Sequence, residues 1–311
     1  MNKIKIGIVG YGNLGRGVEK AVKKQKDMEL IGIYSRRHLD HPLVQPVERL
    51  EQKQDLDVLI LCTGSAADLP MQTPRYAGKY HVVDSYDHHQ QIPDHYKNVD
   101  MAARAGGNLA LISCGWDPGI FSMMRALFHT VLPEANVYTF WGKGISQGHS
   151  DAIRRIKGVK DARQYTIPME SAVEAAQSGS AGAEHMDPTE LHRRECFVVA
   201  DEGEDLIRIE REIREMPDYF SGYDTTVHFI SQEKLENEHS GFPHGGRVIG
   251  TGGDAKGVFQ LDLSSNPEFT AGVLTAYAKA VYKMAKAGET GCRTVMDVPI
   301  KNLCKDMFMH M

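Results

Sequence analysis

The sequence predicts an α/β protein: a doubly wound parallel sheet over residues 1–118, then an α+β domain on a mostly antiparallel sheet. Two observations carry this reading. Through the first 118 residues short, wholly apolar runs alternate with helical segments, the pattern of parallel strands covered on both faces. Beyond Gly119 the strand-like runs are joined by glycine-rich turns such as Thr251-Gly252-Gly253-Asp254 and by polar loops, as in an open antiparallel sheet with helices on one face.

The first strand, Ile4 to Val9, runs into Gly10-Tyr11-Gly12-Asn13-Leu14-Gly15. This G-x-G-x-x-G turn makes the sheet Rossmann-like. Gly10 permits the tight turn, Gly12 admits a pyrophosphate to the backbone, and Gly15 lets helix and strand pack closely. The helix that follows offers free N–H groups and its positive dipole end to phosphates. The second strand, Leu30 to Tyr34, ends in Ser35-Arg36-Arg37 rather than in an acidic residue. An acidic residue there would bind a ribose 2′-hydroxyl and repel a 2′-phosphate; a hydroxyl and two guanidinium groups do the reverse, because Arg matches phosphate geometry bidentately. The expected cofactor is NADP. Val58 to Cys62 is a third strand, ending in Thr63-Gly64-Ser65. His81 to Asp84 is a fourth, followed by Ser85-Tyr86-Asp87, and Leu109 to Ser113 a fifth, followed by Cys114 to Gly119. Ligands of such sheets bind outside the carboxyl ends of the strands. Cys62, Thr63, Gly64, Ser65, Ser85 and Tyr86 therefore join residues 10–15 and 35–37 as expected cofactor contacts.

In the second domain Asn136 to Trp141, Arg193 to Ala200, Thr225 to Ile230, Gly246 to Thr251 and Val258 to Leu263 read as strands. A long helix is marked by Asn266 as N-cap, Pro267 in first position, Glu268 in the first turn and Gly288 past the end. Its apolar face is suited to the sheet or to a second subunit. From Val298 onward an apolar helix is expected to pack back on the nucleotide domain. The domains are then 1–118, completed by 292–311, and 119–291.

The 311 residues carry a net charge of −5, with a pI near 6.3, which argues against nucleic acid as partner. No apolar run reaches the roughly 20 residues of a membrane span, and nothing at the N-terminus reads as a secretory signal. Five cysteines without C-x-x-C imply neither a disulfide framework nor a zinc ribbon. Cys62, Cys114 and Cys196 lie in or beside apolar strands, where buried inert thiols are expected. The expected compartment is the cytoplasm. Scattered histidines lack metal-ligand spacing, so no metal is expected.

Three clusters have the residue types for chemistry. Asp84-Ser85-Tyr86-Asp87-His88-His89 and Cys114-Gly115-Trp116-Asp117-Pro118-Gly119 lie on the strand edge where a nicotinamide belongs. Asp87 and Asp117 there form a carboxylate pair suited to holding an ammonium and accepting its proton. The plainer alternative makes Asp117-Pro118-Gly119 a turn before a helix, and the two roles are compatible. Phe140 to Ser150, a glycine-interrupted stretch carrying Trp141 and Gln147, reads as a lid loop. Arg193-Arg194, Thr166, His239 and His244 would make a carboxylate site if they converge.

Gly10 to Arg16, Ser35-Arg36-Arg37, Asp84 to Asp87, Gly115 to Gly119, Trp141-Gly142, Ser146-Gln147-Gly148-His149-Ser150-Asp151, Met216 to Phe220 and Pro243-His244-Gly245-Gly246 follow in one order. In this the chain resembles the NADP-dependent meso-diaminopimelate dehydrogenases of bacteria, from about residue 3 to about residue 290. The resemblance implies a homodimer that oxidatively deaminates the D-centre of meso-diaminopimelate to L-2-amino-6-oxopimelate, with release of ammonia and NADPH; the reverse direction supplies lysine and cell-wall precursor. It further implies that Asp87, Asp117, Trp116, Trp141 and Gln147 surround the reacting centre, that Thr166, Arg194, His244 and Asn266 hold the distal L-amino-acid end, and that Gly148 also contacts substrate. Two rivals are weighed against it. A dihydrodipicolinate reductase should carry a partner motif downstream of His88-His89, which is absent from the sequence. A non-catalytic NADP(H) sensor would not need Asp87, Asp117, Arg194 and His244.

Overall fold

A computed structural model of the chain describes residues 3–52, 55–179, 187–217 and 219–304. Two compact units emerge: residues 1–123 with 267–311, and residues 124–266.

The first unit is built on β1 (Ile4–Val9), α1 (Asn13–Lys23), β2 (Met28–Ser35), β3 (Val44–Pro46), β4 (Val58–Leu61), α2 (Leu69–Ala77), β5 (Val82–Val83), α3 (Ile92–Ala105) and β6 (Leu109–Leu111). Seven parallel strands lie in the order β14-β6-β5-β4-β1-β2-β3, where β14 is Gly291–Arg293. The chain winds outward from β1 to β3, then crosses to β4 and winds the other way. The switch point therefore lies between the carboxyl ends of β1 and β4, directly at the glycine turn. Ile6, Ile8, Ile33, Val58, Ile60 and Leu111 are fully buried beneath α1 and a long helix from Asn266 to Lys286, while Leu59, Leu61, Val82 and Ala110 are covered on the opposite face by α2 and α3. Burial on both faces is why these strands carry no polar alternation.

The second unit begins within α4 (Ile120–Val131). It continues through β7 (Asn136–Trp141), β8 (Gly144–Ile145), α5 (Gln147–Arg154), β9 (Val159–Pro168), α6 (Glu170–Ser178), α7 (Pro188–Leu191), β10 (His192–Ala200), α8 (Leu206–Arg214), β11 (Thr225–Phe229), α9 (Gln232–His239), β12 (His244–Gly252) and β13 (Ala255–Leu263). Where one open sheet was expected, two form: β11-β10-β9-β8, in which only β10 and β11 run parallel, and the antiparallel β13-β12-β7. Ile153, Ile209 and Ile213 of α5 and α8 close over Cys196 and Val198 of the first sheet. Ala172, Val173 and Ala176 of α6 close over Phe140 and Ile249 of the second.

Three further departures from the sequence reading have local causes. The Phe140–Ser150 stretch is no loop, since it supplies the end of β7, all of β8 and the start of α5. Two of its three glycines answer close packing: a Cβ on Gly142 would lie 2.1 Å from the carbonyl oxygen of Thr166, and one on Gly144 2.5 Å from the Cα of His244. Next, α10 (Asn266–Lys286) includes Asn266 and packs with the first unit rather than the second. A Cβ on Gly17 would lie 2.9 Å from that of Ala271, and Lys279 reaches Asp27 at 2.7 Å. Lastly, the helix expected from Val298 is reduced, among described residues, to a 3-10 turn at Ile300–Asn302; residues 305–311 and Asp218 of the Met216–Phe220 motif lie outside the described residues.

Candidate active site

The glycine turn after β1 is tightly built. Gly10 adopts φ +89 and donates its N–H to Tyr34 O at 2.8 Å. A Cβ on Gly10 would meet Cys62 O, and one on Gly15 would lie 2.2 Å from Gly10 O. Around Gly12, by contrast, a Cβ would meet nothing within 4 Å. That open space sits before the α1 N-terminus, which no side chain caps, with Asn13 exposed and Leu14 packed into the core below. An anion fits there, with backbone N–H groups and the helix dipole to meet it. Ser35 is buried and its Oγ accepts from Arg37 N at 3.0 Å, and Arg37 reaches Tyr11 O at 3.4 Å. Arg36 projects outward and is held by Asp68 at 3.0 Å. Asp68, which the sequence did not single out, also accepts from Gly64 N at 3.1 Å, joining the Ser-Arg-Arg end of β2 to the loop after β4. The Cys62 thiol is buried, and burial pushes its pKa well up, so only its backbone is available to a ligand. Cys114 is raised in the same way and Cys196 is pushed up to about 12.

Asp87 is exposed, and its loop is latched to the preceding one: Ser65 Oγ donates to Asp87 Oδ1 at 2.5 Å and accepts from Asp87 N at 3.0 Å. Ser85 and Tyr86 lie just before it, Tyr86 buried with its ring 4.2 Å from that of His95. After β6, Gly115 N bonds Pro118 O and Ile120 N bonds Gly115 O, so Trp116 and Asp117 are carried on a tight turn into α4. The turn fits only because position 119 is glycine, where φ is +133 and a Cβ would fall 1.8 Å from Gly115 O. Trp116 is buried edge-on against Phe121 at 5.0 Å.

In the second unit the register of β9 and β10 sets Thr166 opposite Arg194, and Arg194 Nη1 donates to Thr166 Oγ1 at 2.5 Å. The Arg194 guanidinium is buried, lies 4.1 Å over the Tyr223 ring, and leaves Nε without a hydrogen-bond partner. Among described residues no carboxylate pairs with it. Beside it, burial foremost, then the charges of Arg194 and His244, push His149 down to about 3. His149 Nδ1 contacts Ser146 Oγ at 2.6 Å, and Ser146 caps the helix that starts at Gln147. Gly148 is exposed, with nothing within 4 Å of a Cβ built on it. His244 is also lowered by burial, and its Nδ1 accepts from Gly245 N at 2.8 Å. Trp141 donates its N–H to His192 Nε2 at 2.9 Å and stacks on that ring at 5.3 Å. Asn266 N donates to Phe242 O at 3.1 Å. His239, grouped with these in the sequence, instead bonds Tyr165 OH at 2.9 Å and stacks on Phe197 at 4.0 Å, apart from Arg194.

Sequence reasoning thus reached Arg194, Thr166 and His244 but gave no role to His149, His192 or Tyr223. His149 lay inside the quoted Ser-Gln-Gly-His-Ser-Asp motif; its burial beside Arg194 and His244 was the missing signal. Among described residues no group of three His, Cys, Asp or Glu is placed to hold a metal.

A glycine turn at the switch point of a parallel sheet, with two arginines at the end of the neighbouring strand and aspartates after β5 and β6, is the build of an NADP-dependent amino-acid dehydrogenase. The chain belongs to the meso-diaminopimelate D-dehydrogenase family. It is 51% identical to the meso-diaminopimelate D-dehydrogenase of Ureibacillus thermosphaericus, over 96% of this chain and 95% of that one, and 49% identical to that of Corynebacterium glutamicum, over 96% and 94%. Residues 115–265 match the model of the diaminopimelic acid dehydrogenase C-terminal domain. The C. glutamicum diaminopimelate dehydrogenase in complex with DAP superposes with a TM-score of 0.93 at 47% identity, covering 100% of this chain and 98% of that chain. An engineered D-amino acid dehydrogenase bound to NADP+ superposes with a TM-score of 0.90 at 45% identity, over 99% and 98%.

Proposed function

We propose that this protein catalyses the reversible NADP-dependent oxidative deamination of the D-centre of meso-2,6-diaminopimelate to L-2-amino-6-oxopimelate and ammonia. The observation that carries the reading is Arg194: a buried guanidinium, hydrogen-bonded to Thr166 and facing no carboxylate among described residues, is a site built for a carboxylate that arrives with a ligand. Thr166, Arg194, His244 and Asn266 hold the L-amino-acid end. The neutral His149 adds no further positive charge beside that carboxylate site and can offer a hydrogen bond to a zwitterionic end. Trp116, Trp141, Gln147 and Gly148 enclose the D-centre.

Residues 10–15, 35–37, 62–65, 85 and 86 bind NADP, with the pyrophosphate at Gly12 and the 2′-phosphate at Ser35, Arg36 and Arg37. When bound, the cofactor supplies the hydride acceptor. The ammonium at the D-centre must first lose a proton, and one of the two carboxylates, Asp87 or Asp117, takes it directly or through water. Water then adds to the resulting imine and ammonia leaves. Fixing the L-end at Arg194 leaves only the D-centre free to react, which is the basis of chiral choice. The enzyme acts in the cytoplasm as a homodimer. No helix among the described residues is long and apolar enough to cross a membrane, and Leu127, Val131 and Val258 leave apolar surface on the second unit for a partner copy.

The test is NADPH formation from NADP+ with meso-, LL- and DD-diaminopimelate supplied separately. Turnover with the meso isomer and none with the LL isomer is expected. Tight NADP+ binding with no turnover of any isomer overturns the enzymatic reading in favour of a sensor.

A further inference from the structure

Asp84, at the end of β5, is completely buried and bonded on both carboxylate oxygens. Oδ1 accepts the backbone N–H of Tyr86 at 3.0 Å and that of Ser113 at 2.9 Å. Oδ2 accepts from Thr73 Oγ1 of α2 at 2.7 Å and lies 2.9 Å from His95 Nε2 of α3. One oxygen thus ties together the loop that ends in Asp87 and the loop that leads to Trp116 and Asp117, while the other is locked by two helices. His95 then stacks on the ring of Tyr86, and Asp84 O accepts from Cys114 N at 2.9 Å. Ser113 has the left-handed φ of 55, rare for a residue with a side chain, and its buried Oγ has no partner. The bond from its N–H to Asp84 is what holds this backbone in place of a side-chain contact.

We propose that Asp84 is a positioning residue for proton removal, setting the Asp87 and Asp117 loops in one geometry through a single shared carboxylate oxygen. The inference rests on the reading of Asp87 and Asp117 as the proton-accepting pair. It requires acceptor geometry rather than charge. An amide at this position keeps one oxygen toward the two backbone N–H groups and turns its NH2 to Thr73 Oγ1 and His95 Nε2, both of which can accept.

The test compares Asp84→Ala and Asp84→Asn with the parent enzyme, with kcat expressed per NADP+-binding site so that unfolded protein is not counted. Asp84→Ala is expected to lose about 100-fold in kcat, with KM for diaminopimelate within about threefold of the parent, and Asp84→Asn to recover to within about fivefold. Hydrogen exchange supplies a readout independent of turnover: in the Ala variant residues 85–87 and 113–117 should exchange faster together, while residues 10–15 do not change. Should the Ala variant fail to fold, Thr73→Val, which removes one Oδ2 donor and keeps the shape, should lower kcat per site about threefold or more with KM unchanged. Retention of kcat per site in the Ala variant, equal loss in Ala and Asn, or unchanged exchange in both loops overturns the proposal. Absence of turnover in the parent overturns the enzymatic reading instead, and the exchange experiment still decides whether Asp84 sets both loops.

Discussion

Arg194 sits buried against Tyr223 with Thr166 as its hydrogen-bond partner, so its removal should separate binding from stability. An Arg194→Met variant loses a charge-assisted carboxylate contact worth about 2–5 kcal/mol when desolvated, and KM for diaminopimelate should rise at least about 30-fold. The same change removes an unneutralised buried charge, so the ligand-free protein should melt no lower than the parent. Steady-state kinetics and a thermal melt without ligand check the two halves, and a lower Tm would make Arg194 a structural residue. At the other end of the cofactor reading, Arg36→Ala combined with Arg37→Ala should weaken NADP+ far more than NAD+ in a binding titration; equal losses would remove the 2′-phosphate assignment. His149 carries a pH prediction. Its pKa is about 3 in the fold against an ordinary value of 6.5, so between these the unfolded chain takes up a proton that the folded one refuses. The stability it contributes is complete above pH 6.5 and is lost as pH falls toward 3. His149→Gln should flatten the dependence of Tm on pH in that window. Arg194 and Thr166 were legible as candidates because their residue types match a carboxylate, and the register of β9 and β10 is what brings the two together. His149 was not, because its neutrality comes from burial beside Arg194 and His244, which sequence spacing does not encode.

Elements explain where the sequence reading went wrong as well as where it succeeded. The strands β1, β2, β4, β5 and β6 were legible because burial on both faces leaves them continuously apolar, a signal that needs no partner to interpret. The tiny β3 (Val-Gln-Pro), β8 (Gly-Ile) and β14 (Gly-Cys-Arg) were not, since unlike the equally short β5 and β6 each carries a proline or a glycine and none is a continuous apolar run. The Phe140–Ser150 stretch misled because glycine was taken for freedom, whereas Gly142 and Gly144 mark places where another backbone comes too close for a side chain. Gly144→Ala tests that cause. The new methyl would fall 2.5 Å from His244 Cα and 2.6 Å from its ring, so β8 must push His244 aside. KM for diaminopimelate should rise about tenfold or more, while NADP+ affinity, which the proposed site on β1 and α1 of the first unit sets, stays within about twofold. A weaker cofactor site in this variant would mean general loss of fold instead.

For the whole molecule, sequence order and spatial order diverge at α10. It follows the last antiparallel strand, so it reads as part of the second domain, yet its contacts are with α1 and the parallel sheet: Gly17 against Ala271, Lys20 to Glu268 at 2.8 Å, Lys279 to Asp27 at 2.7 Å. The second unit, residues 124–266, is therefore an insertion between a sheet and the helix that covers it, and an insertion leaves no compositional mark at its far end. Net charge acts at this same scale. The protein carries −5, and diaminopimelate is a double zwitterion with no net charge, so the long-range field neither attracts nor repels the substrate. NADP+ is an anion. It is weakly repelled by the net charge spread over the whole surface, but on the proposed assignment its 2′-phosphate meets Arg36 and Arg37, and contact at hydrogen-bond range outweighs a field distributed over tens of ångströms. Raising ionic strength from about 0.02 to about 0.2 M shortens the screening length from about 20 Å to under 8 Å and weakens these exposed arginine contacts. KM for NADP+ should then rise severalfold, while KM for diaminopimelate, whose proposed anchor Arg194 is buried and which feels no net attraction, changes by less than about twofold. A KM for NADP+ that falls with salt would show that the overall negative field outweighs the two arginines, and would take the 2′-phosphate away from them.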